Sequence, residues 1–444
     1  MLTEFKPGNL GLPRDGAAAC RAPSVAWRRS DRRKPIGFRA RGFLTTKAAT
    51  AGNRTDSVLH AFVDRTRGPP TFYPPTGYDS SMSQPSPDVY EQGKGMDAHN
   101  KVMREVRSRN DASYDPREPT RVWLDEDNTP DGFVDSLTII LNTGGCRWAR
   151  AGGCTMCGYV AESVDGGSVP HDDLMAQIDV CLEHEAENAD DLRNDRADLI
   201  KIYTSGSFLD EREVPAETRQ AIAETFADRD RFVVESLPDF VDQEKIRDFT
   251  DHGLECDVAI GLETATDRVR RDCVNKYFEF SDFEAACADA EAVDGGGIKA
   301  YLLMKPPFLS EGEAVEDMKR SVRRCLDVEG CHTVSMNPCN VQRYTMVEDL
   351  YHDGGYRPPW LWSVAEVLES TADVDGIVVS DPVGHGSERG PHNCGDCDDR
   401  VQRAIKDFDE RQDPTVFEQV SCECELTWEA VVERERSYSL PLAR

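Results

Sequence analysis

SLTIILNTGGCRWARAGGCTMC, residues 136–157, is the stretch of sequence that decides the fold. An apolar run suited to a buried β-strand leads directly into a glycine-rich loop that carries Cys146, Cys154 and Cys157. Three is an unusual number, because a disulfide uses two thiols and a closed tetrahedral zinc site usually uses four ligands. Three thiolates can instead bind three irons of a 4Fe–4S cluster, which leaves the fourth iron open to a small molecule. A zinc site completed by a distant ligand is the alternative.

The strand at 136–141 is the first of several that alternate with charged helical stretches. Further runs typical of buried strands occur at 199–203, 231–236, 256–263, 297–304, 333–338 and 376–380. Helical patterns lie between them, at 170–187, 215–229, 243–253, 282–293 and 313–328. Strict β/α alternation predicts an α/β fold, and about six repeats predict a partial, open (β/α)6 TIM barrel. The cysteine loop then lies at the carboxyl end of the sheet, where parallel α/β folds place their active sites.

Composition divides the chain into four parts. Residues 1–95 are rich in Arg, Ser, Pro and Gly without sustained periodicity, and we expect them to be a disordered extension. The sharp change of composition near Met96 also allows them to be translated upstream sequence, with Met96 as the natural start. We expect a lead-in over 96–134, the partial barrel over 135–375 and a small cysteine-rich, metal-binding C-terminal module over 376–444.

The formal net charge is −30 and is unevenly spread. Residues 1–95 hold 15 basic and 8 acidic side chains, whereas residues 96–444 hold 37 basic and 74 acidic ones. Acidic residues scattered over a whole domain keep a protein hydrated in high salt, which indicates a halophilic source. Because such salt screens repulsion, this charge does not exclude nucleic acid. We expect local basic groups to hold it, at Arg268, Arg270, Arg271 and Lys276.

No run approaches the roughly 20 apolar residues that cross a bilayer, and no signal peptide opens the chain. We therefore expect a cytoplasmic protein without membrane contact. Fifteen cysteines in a reducing compartment are more often metal ligands or buried apolar residues than disulfides. Eight of them are dispersed along the chain, and we expect these to be buried.

A second cysteine cluster lies near the C-terminal end. HNCGDC (392–397) and SCEC (421–424) supply four candidate ligands, Cys394, Cys397, Cys422 and Cys424. Four thiolates close a tetrahedron, which favours structural zinc. A second 4Fe–4S cluster and a set of free thiols are the alternatives.

The spacing C-x7-C-x2-C after the first strand resembles the cluster loop of radical S-adenosylmethionine (SAM) enzymes, in the branch near the Elongator catalytic subunit. Four further segments are similar in the same order: YTSGSF (203–208), VVESLPDFV (233–241), AIGLETATDRV (259–269) and LLMKPPFLSEGEA (302–314). The resemblance implies a 4Fe–4S cluster whose open iron binds SAM, and reductive cleavage of SAM to a 5′-deoxyadenosyl radical. It also implies SAM contacts from Tyr159, Thr204, Ser205, Gly206, Ser207, Glu235, Glu263 and Met304, with Lys305 near the adenosine.

Within that superfamily the chain resembles the archaeosine-biosynthesis radical enzymes (RaSEA). The similar segments are NPCNVQRYTMVEDLY (337–351), YRPPWLWS (356–363) and RGPHNCGDCD (389–398). The resemblance implies a C–N lyase that removes lysine from a modified 7-deazaguanine in the tRNA D-loop and leaves archaeosine. It implies three partners: tRNA, the archaeosine synthase subunit that installs the lysine, and a reductant protein of the ferredoxin or flavodoxin type.

Polar residues at the end of the sixth strand and beyond it are candidates for substrate contact. Those after the strand would face the barrel mouth, and those in the glycine-rich loop could bind a phosphate. They are Asn337, Asn340, Gln342, His385 and Arg389. Two other functions stay open, namely carboxymethylation of wobble uridine as in the Elongator subunit, and a non-catalytic zinc-binding RNA adaptor.

Overall fold

The computed structural model describes residues 97–109, 114–164 and 168–438 of the 444-residue chain. The expectations for residues 1–95, and for a natural start at Met96, lie outside the described residues.

One eight-stranded sheet forms the centre of the fold. Its strands lie side by side in chain order. They are β1 (Arg121–Thr129), β2 (Gly132–Ile140), β3 (Leu199–Tyr203), β4 (Arg231–Ser236), β5 (Glu255–Glu263), β6 (Gly296–Met304), β7 (Cys331–Pro338) and β8 (Ile377–Val379). The first pair is antiparallel and each later pair is parallel. All seven predicted strands are present, so the predicted parallel sheet is confirmed.

Strand β1 was not predicted from the sequence, because acidic residues interrupt the apolar pattern of RVWLDEDNT. The turn that joins it to β2 has the letters TPDG, in which the Thr129 hydroxyl donates to the Gly132 carbonyl at 2.9 Å. Gly132 has a φ of +123°, a value that glycine adopts without steric cost. The turn chemistry therefore folds the lead-in back on the sheet as an edge strand.

Helices lie between the parallel strands and at both ends of the described chain. The α-helices of five or more residues are α1 (Asp97–Arg107), α2 (Arg147–Ala151), α3 (His171–Glu187), α4 (Ala216–Thr225), α5 (Gln243–Thr250), α6 (Phe280–Glu291), α7 (Glu311–Leu326), α8 (Met346–His352), α9 (Leu361–Ser370), α10 (Asp398–Arg411) and α11 (Glu425–Tyr438). The five predicted helices correspond to α3–α7 and are confirmed. Among the described residues, none of the helices is long and apolar enough to cross a membrane.

The apolar core lies between the helices and the outer face of the sheet. Phe232 of β4 is fully buried there, with its ring 4.9 Å from that of Phe249 on α5. Successive strand residues point to opposite faces, so neighbouring positions turn towards the inner face. Seven of the eight dispersed cysteines are buried, as predicted, while Cys20 lies outside the described residues.

The sheet curls until its two edge strands, β1 and β8, come into contact. Asn128 of β1 donates to the carbonyl of Asp409 on α10 at 2.9 Å. Across the interior, the Asp127 carboxylate of β1 accepts hydrogen bonds from Lys299 at 2.9 Å and Lys201 at 3.3 Å. The fold is thus a curled partial barrel, as predicted, and the region expected to form the C-terminal module begins with a strand of the same sheet.

Candidate active site at the carboxyl ends of the strands

The three-cysteine loop connects β2 to α3 and is fixed at several points. Cys146 caps α2, because its sulfur accepts a hydrogen bond from the Ala149 N–H at 3.4 Å. The buried Trp148 donates its indole N–H to the carbonyl of Asn275 at 2.8 Å. The Thr155 hydroxyl donates to the Cys273 carbonyl at 2.7 Å. The loop is therefore anchored on the segment that follows β5.

Helix α1 lies against the other side of this loop. Arg107 donates to the carbonyl oxygens of Ala149 and Gly152, and to that of Cys157 at 2.9 Å. A Cβ on Gly153 would lie 2.8 Å from the Arg107 guanidinium, which is closer than real Cβ atoms come. The glycine pair before Cys154 is therefore needed for the close approach of helix and loop.

The three thiols lie close enough together to influence one another, with Cys154 buried and Cys146 and Cys157 half-buried. Burial raises the pKa of Cys146 to about 12, and burial raises the pKa values of Cys154 and Cys157 as well. Two cations oppose this effect: Arg107 acts on Cys146 and Cys157, and Lys276 acts on Cys154 and Cys157. The metal-free thiols are consequently protonated at neutral pH, and binding a metal there must release protons.

The segment YTSGSF (203–208), in which four SAM contacts are predicted, lies directly against this loop. A Cβ on Gly206 would lie 2.7 Å from the Cα of Cys146, so only glycine fits at this position. The Ser205 hydroxyl donates to the carbonyl of Tyr159 at 3.3 Å, and the Tyr159 side chain is exposed. Thr204 and Ser207 are buried. The structure therefore brings the predicted residues after β2 and after β3 together.

A buried carboxyl group that was not singled out in the sequence, Glu213, joins these two segments. It accepts hydrogen bonds from the Thr143 hydroxyl at 2.5 Å and from the Ser207 N–H at 2.8 Å. Burial raises the pKa of Glu213 to about 6. Its position ten residues after β3, in an acidic stretch, gave no signal that it would turn back to the sheet.

Glu235, Glu263 and Lys276 form a charged group at the ends of β4 and β5. The Lys276 ammonium lies 2.6 Å from the Glu263 carboxylate. Burial raises the pKa of Glu235 to about 8; Lys276 opposes this rise, while the neighbouring Glu263 and Glu213 add to it. Glu235 is therefore a carboxyl group that changes charge near neutral pH and that a cationic ligand would favour in its ionised form.

Met304 and Lys305 follow in the same layer, at the end of β6. Met304 is fully buried, and its carbonyl accepts a hydrogen bond from the Cys339 N–H at 2.9 Å. The Lys305 ammonium is bound by the buried Glu311 carboxylate at 2.6 Å. The Tyr356 hydroxyl donates to the carbonyl oxygens of Lys305 and Cys339, at 2.9 and 3.1 Å.

Strained backbone is concentrated at this end of the sheet. Five of the seven non-glycine residues with positive φ in the described chain lie in segments that follow β5, β6 or β7, or at the last residue of β5. They are Glu263 (67°), Asn275 (65°), Lys305 (60°), Phe308 (74°) and Tyr344 (60°). Each such residue costs about 1–3 kcal/mol, and such strain collects where a protein binds ligands.

The predicted substrate residues divide into two groups. Gln342 reaches the cysteine loop, since its side-chain oxygen accepts from the Gly158 N–H at 2.7 Å. Asn337 bonds Ser335 at 3.2 Å, and Asn340 follows the buried Cys339. His385 lies 3.8 Å from Asp399, and Arg389 bonds Glu348 at 2.8 Å. Asn337 lies in β7, and Asn340 and Gln342 follow it. His385 and Arg389 instead contact helices α10 and α8.

The second cysteine cluster is assembled in the structure. The sulfur of Cys394 lies 3.8 Å from that of Cys397 and 3.7 Å from that of Cys422, and Cys397 lies 3.6 Å from Cys424. All four sulfurs lie within 4.8 Å of one another. Four sulfurs bound at about 2.3 Å to one tetrahedral ion stand about 3.8 Å apart, so the group matches a single ion.

Comparisons with known proteins give close relatives. The chain is 40% identical over 354 residues to archaeosine synthase subunit beta of Methanosarcina acetivorans, which covers 77% of this chain and 99% of that protein. It is 38% identical over 321 residues to archaeosine synthase subunit beta of Thermococcus kodakarensis. That match covers 70% of this chain and 96% of that protein. No protein-family model matches.

Solved structures give a more distant likeness. Elp3 of Methanocaldococcus infernus, lacking its N-terminus, is similar with a TM-score of 0.40 and 14% identity, over 53% of this chain and 59% of that chain. The radical S-adenosylmethionine methyltransferase TsrM of Kitasatospora setae is similar with a TM-score of 0.34 and 15% identity. That match covers 50% of this chain and 40% of that chain. Scores this low decide neither fold nor function.

Proposed function

Since the chain belongs to the archaeosine synthase subunit beta family, we propose that it is the radical SAM component that completes archaeosine in tRNA. In this proposal it cleaves a C–N bond of a lysine attached to a 7-deazaguanine base. The observation that carries the proposal is the meeting of Cys146, Cys154 and Cys157 with Gly206, Glu235 and Lys276 at one end of a partial barrel.

The residues present fit a 4Fe–4S cluster and SAM. Three thiols share one loop, and glycines remove the side chains that would block a close approach. Bound there, the cluster and SAM would supply a 5′-deoxyadenosyl radical, which breaks bonds that lack an acidic proton or a good leaving group. Cys146, Cys154 and Cys157 would hold the cluster.

The chain's own groups would bind and orient the amino-acid part of SAM. Glu235 and Glu263 are acceptors for its amine, and Lys276 is a donor for its carboxylate. Because Glu235 is ionised only above about pH 8 in the ligand-free chain, a bound ammonium group would shift it towards the carboxylate. Thr204, Ser205 and Ser207, which follow β3, would line the same SAM site. Met304, the last residue of β6, would line it from the other side.

We assign zinc to Cys394, Cys397, Cys422 and Cys424. Their sulfur separations of 3.6–3.8 Å fit one tetrahedral ion. A 4Fe–4S cube attaches each thiolate to a different iron, which holds the sulfurs farther apart. The site is therefore proposed as structural, and it stabilises the C-terminal helix α11.

The RNA would have to meet a largely acidic surface. Of the four basic residues expected to help, Arg270 is fully buried and bonds the Thr264 and Phe278 carbonyls, and Lys276 is buried beside Glu263. The expectation was wrong for these two. Arg268 and Arg271 are half exposed and carry the remaining positive charge of that segment. A partner subunit that installs the lysine, and a ferredoxin- or flavodoxin-type donor, belong to the same proposal.

The test is an anaerobic assay in molar salt. It combines the iron-reconstituted chain, SAM, a strong reductant and tRNA that carries the lysine-modified base. Mass spectrometry of the nucleosides should show archaeosine, together with 5′-deoxyadenosine. Cys154→Ala should abolish both products, because a cluster site with two thiols does not form. Cys181→Ala, which changes a buried cysteine in α3, is the matched control and should keep both.

The products separate the possible failures. Formation of 5′-deoxyadenosine with an unchanged base would retain the radical chemistry and exclude this substrate. Absence of both products from a chain with its full iron content would contradict the proposal as a whole.

A further inference from the structure

Within the part of the chain that the structure describes, the Arg107 guanidinium contacts backbone carbonyl oxygens and no carboxylate. Arg107 donates to the carbonyl oxygens of Ala149, Gly152 and Cys157. Its Nε is buried and has no hydrogen-bond partner. Arg107 is half-buried, and a guanidinium with a buried, unpartnered nitrogen is stabilised by a nearby negative group. The arrangement is explained if a negative group binds beside Arg107.

The three thiols provide that group once they bind iron. Cysteines ligate a cluster as thiolates, so a cluster bound there would place negative charge in the loop whose carbonyl oxygens Arg107 contacts. The guanidinium lies directly over this loop, with a nitrogen 2.8 Å from where a Cβ of Gly153 would be. It also donates to the carbonyl oxygen of Cys157 at 2.9 Å, and its charge acts to lower the pKa values of Cys146 and Cys157.

We propose that Arg107 raises the reduction potential of the cluster by stabilising its reduced form. This inference rests on the proposed function, because it requires the cluster at these cysteines. Reduction adds one electron from an external one-electron donor, and no bond breaks. The added negative charge lies beside the guanidinium, whose attraction is strong where water is excluded.

Arg104 provides the matched control for a purely structural role. It lies one turn earlier on α1 and donates to the carbonyl of Ala151 in the same loop. Unlike Arg107, it is exposed, and its charge is not among the leading influences on the three thiols. Removing Arg104 therefore weakens the contact between helix and loop without removing the charge at the sulfurs.

The experiment is a redox titration of the reconstituted full chain, without SAM, followed by the electron paramagnetic resonance signal of the reduced cluster. The variants are Arg107→Gln, Arg107→Lys and Arg104→Gln. We expect a more negative midpoint potential in Arg107→Gln only. Arg107→Lys keeps the charge and should stay near the wild-type potential, as should Arg104→Gln.

Two results would overturn the proposal: an unchanged potential in Arg107→Gln, or an equal shift in Arg104→Gln. If Arg107→Gln retains no iron, the neutral variant Arg107→Met takes its place. A more negative potential in that variant, with a wild-type potential in Arg107→Lys, supports a role of charge, and an unchanged potential contradicts it. A wild-type chain that binds no cluster would instead refute the proposed function, whereas intact clusters with identical potentials refute only the role of Arg107.

Discussion

At the scale of the residue, Glu213 shows how one proton links stability to pH. Its pKa is raised from 4.5 to about 6 by burial, so the folded chain holds this proton more tightly than the unfolded chain. The resulting stabilisation is complete below pH 4.5 and is lost as the pH rises through about 6, a loss of about 2 kcal/mol. Glu213→Gln has no such proton. Urea unfolding of the metal-free chain between pH 4.5 and 7 should therefore show wild-type stability falling relative to this variant.

The control for Glu213→Gln is Glu211→Gln, which changes an exposed carboxylate two residues earlier. Its stability should follow that of the wild type at each pH. Parallel curves for wild type and Glu213→Gln would show that this proton does not distinguish the folded from the unfolded chain.

At the scale of the element, Asp127 joins three strands across the inside of the barrel. Its side chain is 14% exposed, and the ammonium groups of Lys299 and Lys201 hold its pKa well below the ordinary value. Asp127→Asn leaves two buried cations without a carboxylate and should lower the free energy of unfolding by about 3–5 kcal/mol. Denaturant unfolding measures this. The exposed Asp125, on the same strand, should tolerate Asn within about 0.5 kcal/mol.

A triple variant tests the reason for that loss. In Asp127→Asn/Lys201→Met/Lys299→Met the unpaired cations are gone, so most of the lost stability should return. If the triple variant is as unstable as Asp127→Asn alone, the cause is packing of the hairpin and not unpaired charge.

The elements that sequence patterns could predict are those with one dominant period. The parallel strands carry mainly apolar runs, interrupted by single charged residues such as Lys201 and Lys299, and all seven were found. Strand β1 was missed because Asp127 and its neighbours are polar. The partners of Asp127, Lys201 and Lys299, lie on other strands across the barrel. The cysteine loop was evident from the spacing of its cysteines. Arg107 and Glu213 contact residues far away in the sequence, at Cys157 and Thr143, and a local sequence pattern does not reveal such contacts. For the same reason Arg270 and Lys276 looked like surface cations.

At the scale of the whole molecule, the proposed metal site at the second cysteine cluster would hold helix α11 on the barrel. In α11, Trp428 donates to the Ser363 hydroxyl at 2.8 Å, and Ser363 donates to Glu311 at 2.6 Å. Cys397→Ser should weaken the metal site, release α11 and expose it to limited proteolysis, which mass spectrometry of the fragments would detect. Cys287→Ala, a buried cysteine outside both clusters, should stay resistant. Equal resistance in both variants would mean that α11 is held without the metal.

The meeting of β1 with α10 has a consequence for biosynthesis. Asn128 finds its partner at Asp409, 281 positions further along the chain. While the ribosome is still making the second half of the chain, the β1–β2 hairpin lacks its partner in α10, and the charged residues on its inner face stay in water. Contacts this distant are slow to form. The barrel therefore closes only after nearly the whole polypeptide has emerged, and the proposed cluster site, whose loop is anchored on segments from both halves, would become complete after translation.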